Sequence, residues 1–517
     1  MKRLALLLLP ALLAAACTTS RGSEAPPSLA AAAETITPTD VRARIGFLAS
    51  DALRGRDTPS PGLDTAAHWI ADELASFGLE PGIGDGWLQR YPYPAVSLDA
   101  GEATLRVAAG ATHMFTYGED FWAEPGSEAE PAGMVYVGSE LPEGAEVRDR
   151  VVLLRLAASL EQGRDGWRLD RQARRQAYAT VDRAAESGAA AVVFVLDSVF
   201  TDDAVTLLAA TAERPSRVLG GPEARPVPPA LFLRWQPALR IFRMAGLDGA
   251  TILSRPARRP IPLPGVTATA AAPRVAVDDA RPPNVVGVLR GRDPVLRDRY
   301  VVVTAHMDHV GVGQPDETGD SIYNGADDDA SGTAALVEVA EALAGLETRP
   351  RRSVMFVAVS GEEKGLLGSA WFVDHPPVPV ESMVANVNLD MVGRNAPDSI
   401  VVIGQEYSSM GPLVRAIAAD NPGLGLTVSE DLWPEERFFF RSDHFPFAAK
   451  EIPALFFFAG THEDYHRPSD EIDDIDTDKV ARVGRLVLYL VHAIADAEEP
   501  PMWDPQGLET VRSLTTQ

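Results

Sequence analysis

Five short stretches of this sequence carry side chains that could hold a divalent metal and move a proton beside it. They are His306-Met307-Asp308-His309, Asp327-Asp328-Asp329, Gly361-Glu362-Glu363, Asp390, and His462 with Tyr465-His466. Zinc takes imidazole nitrogen and carboxylate oxygen, usually with one position left open. Two zinc ions about 3.5–4 Å apart need a carboxylate between them to offset their repulsion. One bridging Asp, with one His and one terminal carboxylate for each metal, makes a set of five. The sequence holds that composition with a Glu to spare. Hydrolysis requires such a residue, a base that is not itself a ligand. Each stretch alone has a plainer reading: Asp308 and His309 as loop polar groups, Glu362-Glu363 as a solvated pair, the triple Asp as a helix start. Their joint placement decides between the two.

That placement follows from the elements around them. Residues 300–305, 353–359, 384–389 and 452–458 are compact apolar runs suited to buried parallel strands. Helical segments lie between, at 333–343 and 413–419. The pattern predicts an α/β fold with a mixed, mostly parallel central sheet flanked by helices. In such sheets ligands bind outside the carboxyl ends of the strands. Each of the four runs empties there into one of the chemical stretches: His306, Glu362-Glu363, Asp390, and His462 to His466. Carboxylates and imidazoles gathered at one end of apolar strands would be costly to leave unpaired.

Upstream, residues 64–77 have helical apolar spacing with Gly78 as C-cap, and 86–91 reads as the start of a strand. From about 101 to 283 the texture changes. Apolar runs at 134–137, 151–154, 189–196 and 230–235 are separated by Gly, Pro and polar stretches, with helix expected only over 168–187. This predicts a smaller β-rich α/β module inserted into the larger domain.

The motifs resemble those of the zinc aminopeptidases of peptidase family M28, clan MH, with the zinc-exopeptidase (phosphorylase/hydrolase-like) fold. The resemblance rests on 305–311, 324–332 (Asn324-Gly325-Ala326-Asp327-Asp328-Asp329-Ala330-Ser331-Gly332), 360–369, 388–393, Ser442-Asp443-His444-Phe445-Pro446-Phe447, and Tyr465-His466-Arg467-Pro468-Ser469-Asp470. It implies two zinc ions per chain: His306, Asp390 and bridging Asp328 for one; Glu363, His466 and the same Asp328 for the other. It makes Glu362 the general base and acid, has Asp308 orient His306, and places a cis peptide at Asp328–Asp329. His309, His444 and His462 fall outside that ligand set, and His444 is expected to shape or underlie the pocket. Gly55-Arg56 and Gly78-Leu79-Glu80-Pro81 extend the likeness to the N-terminal flank. The stretch 101–283 resembles a protease-associated domain, through 148–154 and 184–193; a family-specific insertion is the alternative.

Metal-assisted hydrolysis of peptides, with removal of N-terminal residues, is the implied activity. Carboxypeptidase or dipeptidase action within the same family is the first alternative. A single-zinc enzyme of the glutaminyl-cyclase type is another, although every ligand needed for two metals is present. A non-catalytic binding lipoprotein, like relatives that have lost ligands, is the third. M20-type enzymes place their extra domain after the Glu-Glu pair, whereas here it precedes the first ligand. Phe438-Phe439-Phe440 and Tyr465 are candidates for the substrate pocket.

The ends carry a different message. Lys2 and Arg3, the apolar run 4–13 and Ala14-Ala15-Ala16-Cys17 form an export signal. It resembles a bacterial lipoprotein signal with Cys17 as the acylated residue; an ordinary secretory signal is the alternative. Cys17 is the only cysteine, so no intramolecular disulfide forms. The expected layout is signal at 1–17, flexible tether at 18–36, peptidase domain at 37–100 and 284–497, insertion at 101–283 and tail at 498–517. The membrane would be met through the lipid anchor only. A net charge of −26 argues against a nucleic-acid partner.

Overall fold

The structure, a computed structural model, describes residues 28–163, 166–197, 200–221, 227–255, 257 and 259–515. Cys17 and the export signal lie outside the described residues.

Among the described residues, nine strands build the main sheet: β1 (Glu80–Pro81), β2 (Leu88–Arg90), β3 (Pro283–Leu289), β4 (Tyr300–His306), β5 (Ser353–Val359), β6 (Met383–Leu389), β7 (Ser399–Ile403), β8 (Thr427–Ser429) and β9 (Ala454–Phe458). Their order is β1-β3-β5-β4-β6-β9-β7-β8, and β2 also pairs with β3. The centre β5-β4-β6-β9 is parallel. The flanks are not: β3 runs antiparallel to β5, and β7 antiparallel to β9. The sheet is therefore mixed with a parallel middle, which is where the chemical stretches emerge. Every residue of β4, β5, β6 and β9 is buried, as their unbroken apolar runs require.

Helices cover both faces. The helices Pro38–Leu48, Pro61–Ser76, Gly332–Ala344 and Thr477–Asp496 pack one core against the sheet. Thr37 and Ser60 cap the first two, each ahead of a proline at the first helical position. Leu367–Asp374 and His444–Ala449 help cover the other face. Among the described residues, no helix is long and apolar enough to cross a membrane.

The insertion is a second α/β unit. Among the described residues, eight strands from Thr104–Ala109 to Ile261–Ala271 form its sheet, with a separate core on each face. Arg171–Glu186 is helical as expected, but so are Asp202–Ala212, Trp235–Met244 and Gly249–Leu253. The run taken as strand to Trp235 ends at Leu233, because Trp235 opens a helix that buries Ala238, Ile241 and Phe242. The unit also starts earlier than expected, since Ala95–Leu98 pairs with Arg274–Ala276 at its neck.

Two end segments differ from expectation. Leu29–Ala33, read as tether, is a short helix that buries Ala32 and Ala33, and Ile36 follows it into the main core. Pro505–Thr515, read as tail, is a helix whose Val511 is buried beside Phe438 and Phe456. Alanine-rich and strongly polar compositions hid both, since their burial depends on partners far along the chain.

Candidate metal centre

Asp328 is the hub. Its Oδ1 lies 3.2 Å from His306 Nε2, and its Oδ2 lies 3.1 Å from His466 Nε2. Asp390 Oδ1 stands 3.5 Å from His306 Nε2, and Glu363 Oε2 stands 3.1 Å from His466 Nε2. The two oxygens of one carboxylate thus face two groups, His306 with Asp390 and His466 with Glu363. Ligands bound to a tetrahedral zinc at about 2.0–2.1 Å lie about 3.3 Å from one another. The four His–carboxylate separations lie close to that spacing, so these donors could hold two zinc ions.

Each of these side chains is aimed by its element. His306 ends β4 and is 1% exposed; Asp390 follows β6; Glu363 follows β5. His466 comes from the loop after β9, with φ of +56° and a side chain 38% exposed. Gly325 opens the acidic stretch at φ +58°, where a Cβ would lie 2.1 Å from Asp328 O and 2.5 Å from His309 Cγ. Only glycine fits that turn.

The three consecutive aspartates do different work. Asp327 Oδ1 accepts from Gly393 N, and Asp329 accepts from His306 N, Gly332 N and Met391 N. These two fasten loops together. Asp328 instead has its backbone N held by Asp470 Oδ2 at 3.1 Å, leaving its carboxylate to the histidines. The Asp328–Asp329 peptide is cis. Burial pushes the Asp328 carboxyl up, yet His309, His306 and His466 hold it well below the usual carboxylate range.

Asp308 sits behind His306. His306 Nδ1 is 3.2 Å from Asp308 O and 3.7 Å from its Oδ1, so backbone and side chain share the orienting contact. Asp308 is itself fixed by Thr58 Oγ1, which donates at 2.9 Å, and by Glu362 N. Glu362 belongs to neither ligand group and lines the same recess as His306, Asp328 and Asp390. Burial pushes its carboxyl well above the usual range; His306 opposes this, while Asp390, Asp443 and Glu363 add to it.

Sequence reasoning left several supports without a role. His309 is fully buried, with Nδ1 2.8 Å from Glu363 Oε1. Ser442 donates to Asp390 Oδ2 at 2.5 Å and accepts from Asn388, while Thr304 donates to Asn388. Arg56 is buried and donates to the carbonyls of Leu48, Met307, Asn324 and Gly325, tying three loops together. Asn284 accepts from Ser360 N and donates to Gly368 O, clamping the turn that carries Glu362 and Glu363. The readable signal was polarity in the wrong place: Thr304, Asn386 and Asn388 interrupt apolar strands. Of the aromatic candidates, Phe438 and Tyr465 line the recess with Met391, Phe456 and Phe458. His462 Nε2 faces Asp327 Oδ2 at 3.4 Å, outside both ligand groups, and His444 is buried beneath the site.

Residues 284–491 match the model of peptidase family M28. Aminopeptidase YwaD of Bacillus subtilis is 29% identical over 233 residues, which are 42% of this chain and 46% of that protein. A probable zinc metalloprotease of Leptosphaeria maculans is 28% identical over 258 residues, 42% of this chain and 58% of that one. The chain spans about half the length of these curated relatives. Among solved structures, an aminopeptidase from Aneurinibacillus sp. strain AM-1 covers 92% of this chain and 98% of its own, at 20% identity and a TM-score of 0.47. Residues 284–491, the part similar to that family, carry the whole cluster from His306 to His466.

Proposed function

We propose that this protein is a two-zinc metallo-exopeptidase that removes residues from the N-termini of peptides. The observation that carries the reading is the division of Asp328, one carboxylate oxygen toward each ligand group. His306, Asp328 and Asp390 would hold one zinc, and Asp328, Glu363 and His466 the other. When bound, zinc supplies Lewis acidity for the scissile carbonyl and lowers the pKa of water. Glu362 is placed to take the proton of attacking water and return it to the leaving amine. Burial raises its carboxyl well above the usual range, so it holds a proton more readily than an exposed glutamate does. Asp308 and Thr58 hold His306 and the Glu362 turn in register. The aromatic recess of Phe438, Phe456, Phe458 and Tyr465 takes an apolar terminal side chain and limits access of bulk water.

The names of the relatives support the amino-terminal direction. One feature favours a second reading. Arg441 lines the recess and stacks 4.7 Å over Phe438, where its guanidinium suits a substrate carboxylate, as dipeptidase or carboxypeptidase action would need. For location, the reading remains export and acylation at Cys17, with a protease-associated-like insertion that governs access to the site. Hydrolysis of free and N-blocked aminoacyl substrates by zinc-loaded enzyme, beside metal analysis, tests the function. Two metals per chain and cleavage only of free N-termini are expected. One metal per chain, or cleavage of N-acetylated substrates, overturns the reading.

A further inference from the structure

A cavity of about 520 Å³ lies in the inserted unit, away from the metal cluster, and is walled by three different elements. Its floor is the edge of the insertion's sheet. The strand Phe121–Glu124 pairs with Ala230–Leu233 so that Trp122 faces Phe232 and Glu124 faces Ala230. Alternate residues share a strand face, so Trp122 and Glu124 point the same way. The Trp122 and Phe232 rings stack at 4.7 Å and 7°. The roof is helical: Arg174, Ala177, Tyr178 and Val181 form one stripe of Arg171–Glu186, and Leu208, Thr211 and Ala212 one stripe of Asp202–Ala212.

Of the charged side chains that line this space, Glu124, Arg168, Arg174, Asp182, Arg214 and Arg274, two of opposite sign, Glu124 and Arg274, do not neutralise each other. The Glu124 carboxylate is partly exposed, and among the described residues it has no hydrogen-bond or ion-pair partner. Burial alone pushes it above its usual value. Arg274 is held in place by donating from Nε and Nη2 to Pro125 O, and it too has no carboxylate partner among the described residues. Arg168 and Arg174, by contrast, are taken up by Glu161. Asp182 lies at the exposed rim. A purely apolar ligand would bury Glu124 and Arg274 unpaired, and an anion would meet Glu124. A ligand with an amine, a carboxylate and a ring satisfies all three walls.

We infer that this cavity binds a zwitterionic amino acid or dipeptide with an aromatic or large apolar side chain. Its ammonium meets Glu124, its carboxylate meets Arg274, and its side chain lies against the Trp122–Phe232 stack. The volume falls in the range of small-molecule sites, about 300–1,000 Å³. The site is separate from the proposed catalytic centre and does not depend on that function.

Calorimetry with L-phenylalanine on the zinc-loaded protein tests this, beside inhibition of hydrolysis by the same compound. Binding is expected with a Kd distinct from the inhibition constant. Glu124→Gln and Arg274→Met should each weaken it at least about tenfold and leave the inhibition constant unchanged. N-acetyl-L-phenylalanine and L-phenylalaninamide, each lacking one charge, should bind at least tenfold more weakly to the zinc-loaded Glu362→Gln protein, whose cavity is unaltered and whose slowed hydrolysis keeps the amide intact during the titration. Phenylalanyl-glycine titrated into the same Glu362→Gln protein, where its cleavage is slowed, separates dipeptide from free amino acid, the tighter binder being the physiological class. No binding apart from that seen as inhibition, or equal binding of the blocked compounds, overturns the inference.

Discussion

Ser442 gives its hydroxyl proton to Asp390 Oδ2 across 2.5 Å, which leaves Oδ1 as the oxygen facing His306. Its hydroxyl oxygen is in turn fixed by Asn388 Nδ2 at 2.8 Å. Ser442→Ala lets Asp390 rotate and leaves Asn388 short of an acceptor. Metal affinity on the His306 side should fall about 10–100-fold, while the Glu363 side keeps its metal. Competition with a graded chelator, read as metal per chain, checks this.

The adjacent glutamates should separate cleanly. Glu362→Gln keeps size and hydrogen bonding but removes the base. Its turnover should fall by roughly 10²–10⁴ with metal content unchanged. Glu363→Gln should lose one metal and recover partly in excess zinc. Metal loss from the first variant and not the second would reverse the assignment.

Arg56 is a stability residue for the site. Its guanidinium serves four carbonyls in the dark interior, and burial lowers its pKa to about 10. Arg56→Met should cost roughly 3 kcal/mol or more, since each stranded buried carbonyl costs about 1–3 kcal/mol. Urea denaturation measures it. Arg56→Lys, a point charge without the planar fork, should recover only part of the loss.

His444 should make the fold acid-sensitive. It is fully buried, stacked on Phe456 at 5.0 Å, and burial drops its pKa to about 3. Folded His444 stays neutral where the unfolded chain, near its ordinary value of about 6.5, takes up a proton. Stability from this residue is therefore complete above pH about 6.5 and lost as pH falls toward 3, at roughly 1.4 kcal/mol per pH unit. His444→Phe should flatten the loss between pH 6.5 and 4.5 by roughly 2–3 kcal/mol. Denaturation of both chains with chelator present, so that metal release does not contribute, reads the difference.

What the sequence disclosed and what it hid divide along a physical line. Buried parallel strands must be apolar throughout, so β4, β5, β6 and β9 announced themselves within two residues of their ends, and the charged groups beyond them stood out. Neutral side chains that act through one hydrogen bond, such as Thr58 to Asp308 at a separation of 250 residues, leave no local trace. Asp202–Ala212 and Leu29–Ala33 escaped for another reason: alanine-rich segments gain their order from the surface that covers them. His309 was visible as a residue, but its approach to Glu363 depends on the Gly325 turn bringing two loops together.

The pairing of β2 with β3 joins Gln89 to Asn284, 195 positions apart. Seen from the main sheet, the whole insertion is one hairpin loop. Closing a slack loop of that length would cost roughly 5 kcal/mol in chain entropy before any sheet contact is gained. Once the insertion has folded, its neck strands Ala95–Leu98 and Arg274–Ala276 already hold the two ends side by side, and most of that penalty has been met by another core. An insertion that folds first would act as an internal template for the sheet whose ends carry His306, Glu363 and Asp390. A mutation weakening only the insertion's core would then slow formation of the distant metal centre while leaving the finished centre unchanged.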